Sequence, residues 1–438
     1  MKTKIRIGCG AGFSGDRLEP AVVLAENGQL DYLVLECLAE RTIALAQKRK
    51  IQNPELGYDP FLERRLRLLL PILVKNKIKL VTNMGAANPI SGAKKVQQIA
   101  QELGLSVKIA AVSGDDVLGS IDYEQATIET QKPLSESGEI ISANAYMGVE
   151  GILSALNNQA QIIITGRVAD PSLFLAPMIH EFGWALDDNH LLGQGTVVGH
   201  LLECAGQITG GYFADNDRKM VSGLDILGHP IAEIAADGSA VISKVESTGG
   251  VINLATVKEQ LLYEVINPFE YLTPDVVADF TTVVLEDLGH NQVSVKGGSG
   301  KPKPKFLKTS VGYKAFYLGE GEISYAGHGA FQRAQLAGGI IQKRLSGIFR
   351  DIRIDYSGVS SIHRGNFGHT ENPYEVRLRV AAQADTLEYA AVVGEEVEAL
   401  YTNGPAGGGG VKKTQTEVIG IVSVLMDREK INAQVDYF

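Results

Sequence analysis

A chain of 438 residues exceeds one ordinary hydrophobic core and predicts two domains. Its hydrophobic content of 45% and net charge of −10 fit a soluble globular protein and weigh against non-specific nucleic-acid or anionic-membrane binding. The three cysteines, Cys9, Cys37 and Cys204, form no CxxC, which speaks against a disulfide framework or cysteine zinc site and fits a reducing cytoplasm.

The chain opens with an apolar strand, then GAGFSGDR, in which Gly10, Gly12 and Gly15 match G-x-G-x-x-G. The start, MKTKIRIGCG, passes straight into this strand and turn and does not read as a signal peptide. No run of roughly 18 apolar residues follows anywhere, so no membrane span is expected. Leu18 to Asn27 reads as a helix closed by Gly28, and DYLVLE as a buried strand ending at Glu36. Phe61 to Lys77 is a helical pattern that Pro71 would kink or divide.

KLVTN is a strand ending at Asn83, and Asn88-Pro89 is a cap and first-turn pair for the next helix. VKIAAVSGDD repeats the pattern, with Asp115 and Asp116 past the strand. SANAYMGVEGILSALNN reads as a helix. QIIITGRVADPSL reads as a strand broken at Gly166, with Asp170 as N-cap of a further helix. This alternation up to about residue 183 predicts an α/β fold with a parallel sheet and helices on both faces.

HLLGQGTVVGHLLECAG reads as helical despite its glycines. PIAEIAADGSAVISKV predicts a hairpin around Asp237-Gly238, and TVKEQLLYEV a helix. KGGSGKPKPK (296–305) reads as a linker or exposed loop. Beyond it come strands at 306–326, a helix Ala330 to Leu345, strands DIRIDYSGV and EVRLRVAA, a helix Leu387 to Tyr401 and strand EVIGIVSVLM. This is a smaller α+β, ferredoxin-like succession. The expected domains are 1–300 and 301–438.

The candidate site gathers at the carboxyl edge of the parallel sheet, where such sheets bind ligands. Asp16, Glu36 and Asp170 are the candidate acids and bases. Gly10, Gly12, Ser14, Arg17, Asn83 and Arg167 are the candidate substrate binders. GAGFSGDR is either a tight turn or an anion cradle made of loop amides and a helix start. Glu36, about 20 residues past the glycines, would suit a dinucleotide ribose. Arg167 would clamp a carboxylate or phosphate, or else pair with Asp170. Asn88 reads as a cap, and the role of Asn83 stays open.

Asp16, Glu36, Asp115, Asp116 and Asp170 could surround a divalent cation, but their spacing does not identify a site; no metal site is assigned. The eight histidines show neither HxH nor HExxH, and no G-x-S-x-G elbow is present. Glu320 and Glu322 share a face of a strand, read as solvated. NGPAGGGG reads as a flexible loop.

GAGFSGDR, LDYLVLECLAERT, TNMGAANP, TGRVADPSL, GHLLECAGQITGGYFAD, GEGEISYAG and YTNGPAGGGGV together resemble the acyclic terpene utilisation (AtuA) family. The resemblance spans most of the chain. It implies a catabolic setting that works on branched acyl-CoA thioesters, without catalytic assignments to carry over. Some members carry an extra C-terminal domain that other genomes encode as a separate small protein. This chain ends at Phe438 without it, so a small partner subunit is expected.

The leading expectation is a cytoplasmic, homo-oligomeric hydratase or lyase acting on a small anionic molecule or an acyl-CoA thioester, its cofactor unknown. The alternatives are an NAD(P)-dependent oxidoreductase and a non-catalytic binding subunit of a catabolic complex.

Overall fold

A computed structural model describes residues 2–364 and 373–438 as a mixed α/β structure. They form two compact units: Met1–Glu136, Ile140–Gly312 and Ile421–Phe438 in the first, Ser137–Glu139 and Tyr313–Gly420 in the second. Among the described residues no helix is long and apolar enough to cross a membrane.

The first unit is built on a ten-stranded sheet. Five strands lie side by side and parallel in the order Lys4–Ala11, Tyr32–Leu35, Lys79–Thr82, Ile162–Thr165 and Ile109–Ser113. Runs such as YLVL and IIIT are buried throughout, because parallel strands carry helices on both faces. Leu33, Leu35 and Ile164 pack against helices Glu19–Asn27, Leu62–Asn76 and Pro89–Glu102. Tyr32, Val34 and Ile163 point the other way, into a cluster with helices Glu150–Asn157, Ser172–Phe182 and Asn189–Glu203. The Asn88 side chain caps Pro89–Glu102 through the Ser91 amide. Pro71 sits inside Leu62–Asn76 without dividing it.

The sheet is parallel only in this centre. Pro230–Ala235 pairs antiparallel with Lys4–Ala11 and turns back through Asp237-Gly238 into Ala240–Lys244. Gln292–Lys296 and Val284–Gly289 extend that side, and Gln434–Tyr437 closes the opposite edge on Ile109–Ser113. Short turns join Pro230–Ala235 to Ala240–Lys244 and Val284–Gly289 to Gln292–Lys296, as antiparallel neighbours allow.

Two further expectations need correction. The stretch from Ser142 is not one helix: it completes strand Glu139–Ala145, and the helix begins only at Glu150. Between them the Asp275 carboxylate accepts the Val149 amide at 2.9 Å, and a Cβ on Gly148 would stand 2.2 Å from the same carboxylate. KGGSGKPKPK is not a linker. Lys296 ends a sheet strand, and Ser299–Lys301 pairs with Val277–Asp279. A Cβ on Gly193 would lie 2.1 Å from the Ser299 carbonyl oxygen, so this segment is the packing partner of a glycine-bearing helix.

In the second unit the succession is strand, helix Ala330–Leu345, strands Ile352–Ser357 and Glu375–Ala384, helix Leu387–Asn403, strand. Glu375–Ala384 pairs antiparallel with both Ile352–Ser357 and Phe306–Ala326, and Gly409–Asp427 flanks the latter. Glu320 and Glu322 are not merely solvated: they pair across the strands with Arg379 and Arg377.

Candidate functional site

A cleft of about 700 Å3 in the first unit lies where the parallel strands end. Gly12, Asp16, Arg17, Glu36, Arg167 and Asp170 line it. Gly10, Ser14 and Asn83 do not. A Cβ on Gly10 would come within 2.8 Å of Ala21 Cβ and Leu35 Cδ2, so its glycine serves helix-on-strand packing. The Ser14 carbonyl accepts from Arg65, and its hydroxyl bonds Asp59. Asn83 is fully buried behind Glu36.

The glycine loop is closed from within. The Asp16 carboxylate fills it, accepting the Gly12 amide at 3.0 Å and the Arg17 amide at 2.8 Å. The following helix starts only at Glu19. A Cβ on Gly12 would stand 2.6 Å from the Cys204 carbonyl carbon, which accounts for this glycine by backbone approach. Arg17 spends Nη1 on the Leu224 and Asp225 carbonyls. Arg65, fully buried on helix Leu62–Asn76, holds the loop from behind by donating to the Ser14 and Asp16 carbonyls at 3.1 and 2.7 Å.

Glu36 is buried and accepts at Oε1 from the Leu38 amide and from Asn83 Nδ2, both at 2.8 Å. Asn83 Oδ1 in turn accepts the Cys37 amide at 2.7 Å. Burial pushes the Glu36 carboxyl well above the usual carboxylate range, and the charge of Asp170 adds to this.

Arg167 follows the turn at Gly166. Asp115 pins that turn by accepting the Arg167 amide at 3.0 Å, an approach open only because Gly166 lacks a Cβ. The guanidinium is 1% exposed. It donates to the Leu38 carbonyl and, at 2.7 Å, to Asp170 Oδ1. It also stacks 4.1 Å above the Tyr146 ring. Asp170 is therefore not the helix cap expected of it: Pro171 holds that position. Burial raises the Asp170 carboxyl although Arg167 pulls the other way. Tyr146 donates to Glu40 at 2.5 Å. Burial would lift Glu40, but the Tyr146 hydroxyl and the Arg167 charge outweigh it and hold Glu40 at about 2.

The sequence reading missed Glu40, Tyr146, Glu203 and His229, which complete the cleft wall. Glu203 Oε1 stands 2.8 Å from His200 Nδ1, three residues earlier on helix Asn189–Glu203. The signal was present in GHLLE, since residues three apart share a helix face, but an apolar helix context hid it. Burial pushes Glu203 up to about 7. Burial also lowers His229, whose Nε2 lies 4.0 Å from Asp16. Cys204 lines the cleft as a thiol that burial holds above its ordinary range.

Among the described residues no group of three or more His, Cys, Asp or Glu is placed to hold a metal ion. The five carboxylates considered together from the sequence do not converge. Asp115 serves Arg167 and Asn144, and Asp116 faces Gln47 and Lys50.

The model of the acyclic terpene utilisation family protein AtuA matches residues 5–437. The chain belongs to this family, as the seven motif stretches implied, and the family ties it to acyclic terpene catabolism. Searches of curated proteins and of solved structures gave no match.

Proposed function

We propose that the cleft is the active site of a hydratase or lyase acting on an acyl-CoA thioester. The observation that carries this is the pair Glu36 and Asp170. Two carboxyls lifted by burial line one cleft with Arg167, and carboxyls of that kind suit proton transfer near neutral pH. In this reading Asp170 takes a proton from water. Glu36, whose two donors both meet Oε1, delivers one from Oε2.

The charge balance favours a thioester carbonyl over a free carboxylate at this point of the cleft. Asp16, Glu36, Glu40, Asp170, Glu203 and Glu264 line the cleft against Arg17 and Arg167, and both arginines are already engaged. A carboxylate ligand would meet like charge. A thioester carbonyl is uncharged. A second cavity of about 400 Å3 shares Tyr146, Asp170 and Glu264 with the cleft and is walled by Ile266, Leu272, Phe306 and Leu425. These four side chains are otherwise exposed, and an apolar acyl chain would cover them. The filled glycine loop argues against the nicotinamide alternative. In the same reading the two compact units are two domains, the first carrying the site, with the chain passing between them after Gly312 and again after Gly420 rather than at residue 300.

The test is incubation of the purified protein with saturated, hydroxylated and α,β-unsaturated acyl-CoA panels in 18O-water, followed by mass spectrometry. Gain or loss of one water, with at least about a hundredfold loss of rate in Asp170→Asn and Glu36→Gln, is expected. Binding without turnover of any thioester would instead favour a non-catalytic binding subunit.

A further inference from the structure

We propose that Glu203 is a proton-transfer group of this cleft and that His200 is the residue that positions it. The inference rests on reading the cleft as an acid–base site, and it adds to that reading a residue outside the parallel-strand ends.

Glu203 is the last residue of helix Asn189–Glu203. A carboxylate there faces the negative end of the helix dipole, an unfavourable place for a merely stabilising acid. Its side chain is only 10% exposed. Oε1 is fixed by His200 Nδ1 at 2.8 Å, while Oε2 is buried without a hydrogen-bond partner. An unsatisfied carboxylate oxygen is costly, yet here it belongs to a residue lining the cleft. Substrate would supply the missing partner.

His200 is held on its other side. Nε2 lies 3.0 Å from the Gln260 carbonyl, which can only accept, so Nε2 carries a proton. Tyr271 and Phe280 pack on the imidazole at 5.3 and 5.4 Å between centroids. Nδ1 therefore either accepts the proton of a neutral Glu203 or donates one to its carboxylate. The pair shares one proton at rest. When Oε2 takes a proton from a substrate carbon, the pair holds two; when Oε2 returns it to the product, the pair holds one again. Burial, and after it the like charges of Asp170 and Glu264, favour the proton on Glu203, and the hydrogen bond to His200 opposes it.

Two measurements on the full chain decide this. The first follows glutamate side-chain carboxyls by 13C NMR across pH. The resonance absent in Glu203→Gln should titrate near neutrality, and in His200→Gln it should move upward, because the His200 hydrogen bond that favours the carboxylate is gone. Titration in the ordinary carboxylate range, or no response to His200→Gln, would overturn the pairing. The second follows deuterium uptake at the α-carbon of saturated acyl-CoA in D2O. Glu203→Gln should slow wild-type exchange by about 10²–10⁴-fold, with partial recovery in Glu203→Asp. Exchange at full rate in Glu203→Gln would overturn the role of Glu203 alone. No exchange in the wild type would overturn the acid–base reading of the cleft, and this proposal with it.

Discussion

Asp16 closes the glycine loop on itself by accepting the Gly12 amide at 3.0 Å. Glycine at position 12 is needed instead for its approach to the Cys204 backbone at what would be a 2.6 Å Cβ contact. Gly12→Ala should destabilise the protein by about 1–3 kcal/mol through overpacking. At Gly15 the nearest atom is the end of the exposed Phe13 side chain, which can swing away. Gly15→Ala should stay within about 0.5 kcal/mol of wild type. Urea denaturation of both variants is the check, and equal losses would mean the two glycines are not distinguished by packing.

Arg167 and Asp170 form an ion pair in which the arginine is buried and the aspartate a third exposed. Removing the guanidinium leaves Asp170 without its counter-charge and Tyr146 without its stacked partner. Arg167→Ala should cost about 3 kcal/mol, and less if water reaches Asp170. Adding Asp170→Asn should recover part of that loss, because an amide needs no counter-charge. A double-mutant cycle in urea measures the coupling; strict additivity would show that the pair does not act as a pair.

Glu203 rises from an ordinary 4.5 to about 7 on folding. Over that interval the folded protein holds a proton that the unfolded chain has lost. Its stabilising contribution is thus complete below about pH 4.5 and disappears as pH rises through about 7. Its size is on the order of 3 kcal/mol. Glu40 behaves oppositely: held at about 2, it stabilises above 4.5 and loses that contribution as the solution is acidified towards 2. Wild type should lose more stability than Glu203→Gln between pH 5 and pH 8. Parallel curves for the two proteins would contradict this assignment.

In the second unit, a Cβ on Gly319 would lie 2.0 Å from the Ala390 carbonyl oxygen. Strand and helix Leu387–Asn403 meet there backbone to backbone. Gly319→Ala should separate them, and hydrogen-exchange mass spectrometry should report faster exchange in Glu375–Ala384 and Leu387–Asn403. Unchanged protection would show that the contact yields easily.

Much of the architecture is legible in local patterns. YLVL and IIIT announce buried parallel strands, Asn88-Pro89 announces a helix start, and Asp237-Gly238 announces a hairpin, because each depends on neighbours within a few residues. What depends on distant partners is not legible. Ser142 to Ala145 has no local feature that prefers strand over helix. Lys296 to Lys305 looks like a linker until Gly193 is packed against it. In the site, Arg167 and Asp170 are visible as residues past a strand. Glu203 and His200 are spaced as a pair in GHLLE, but nothing local says that Glu203 will line the cleft. The glycine fingerprint misleads for the same reason: nothing local says that Asp16 will turn back onto Gly12.

Calorimetry of matched acyl-CoA thioesters and free acids on wild type and Asp170→Asn decides whether this acid-lined cleft takes an uncharged acyl carbonyl. A thioester should bind at least about tenfold tighter than its free acid, a difference of about 1.4 kcal/mol, and Asp170→Asn should narrow the gap by removing a charge that repels the acid. Equal or tighter binding of the free acid to wild type would contradict it, and would mean that Arg167 leaves Asp170 to clamp a carboxylate.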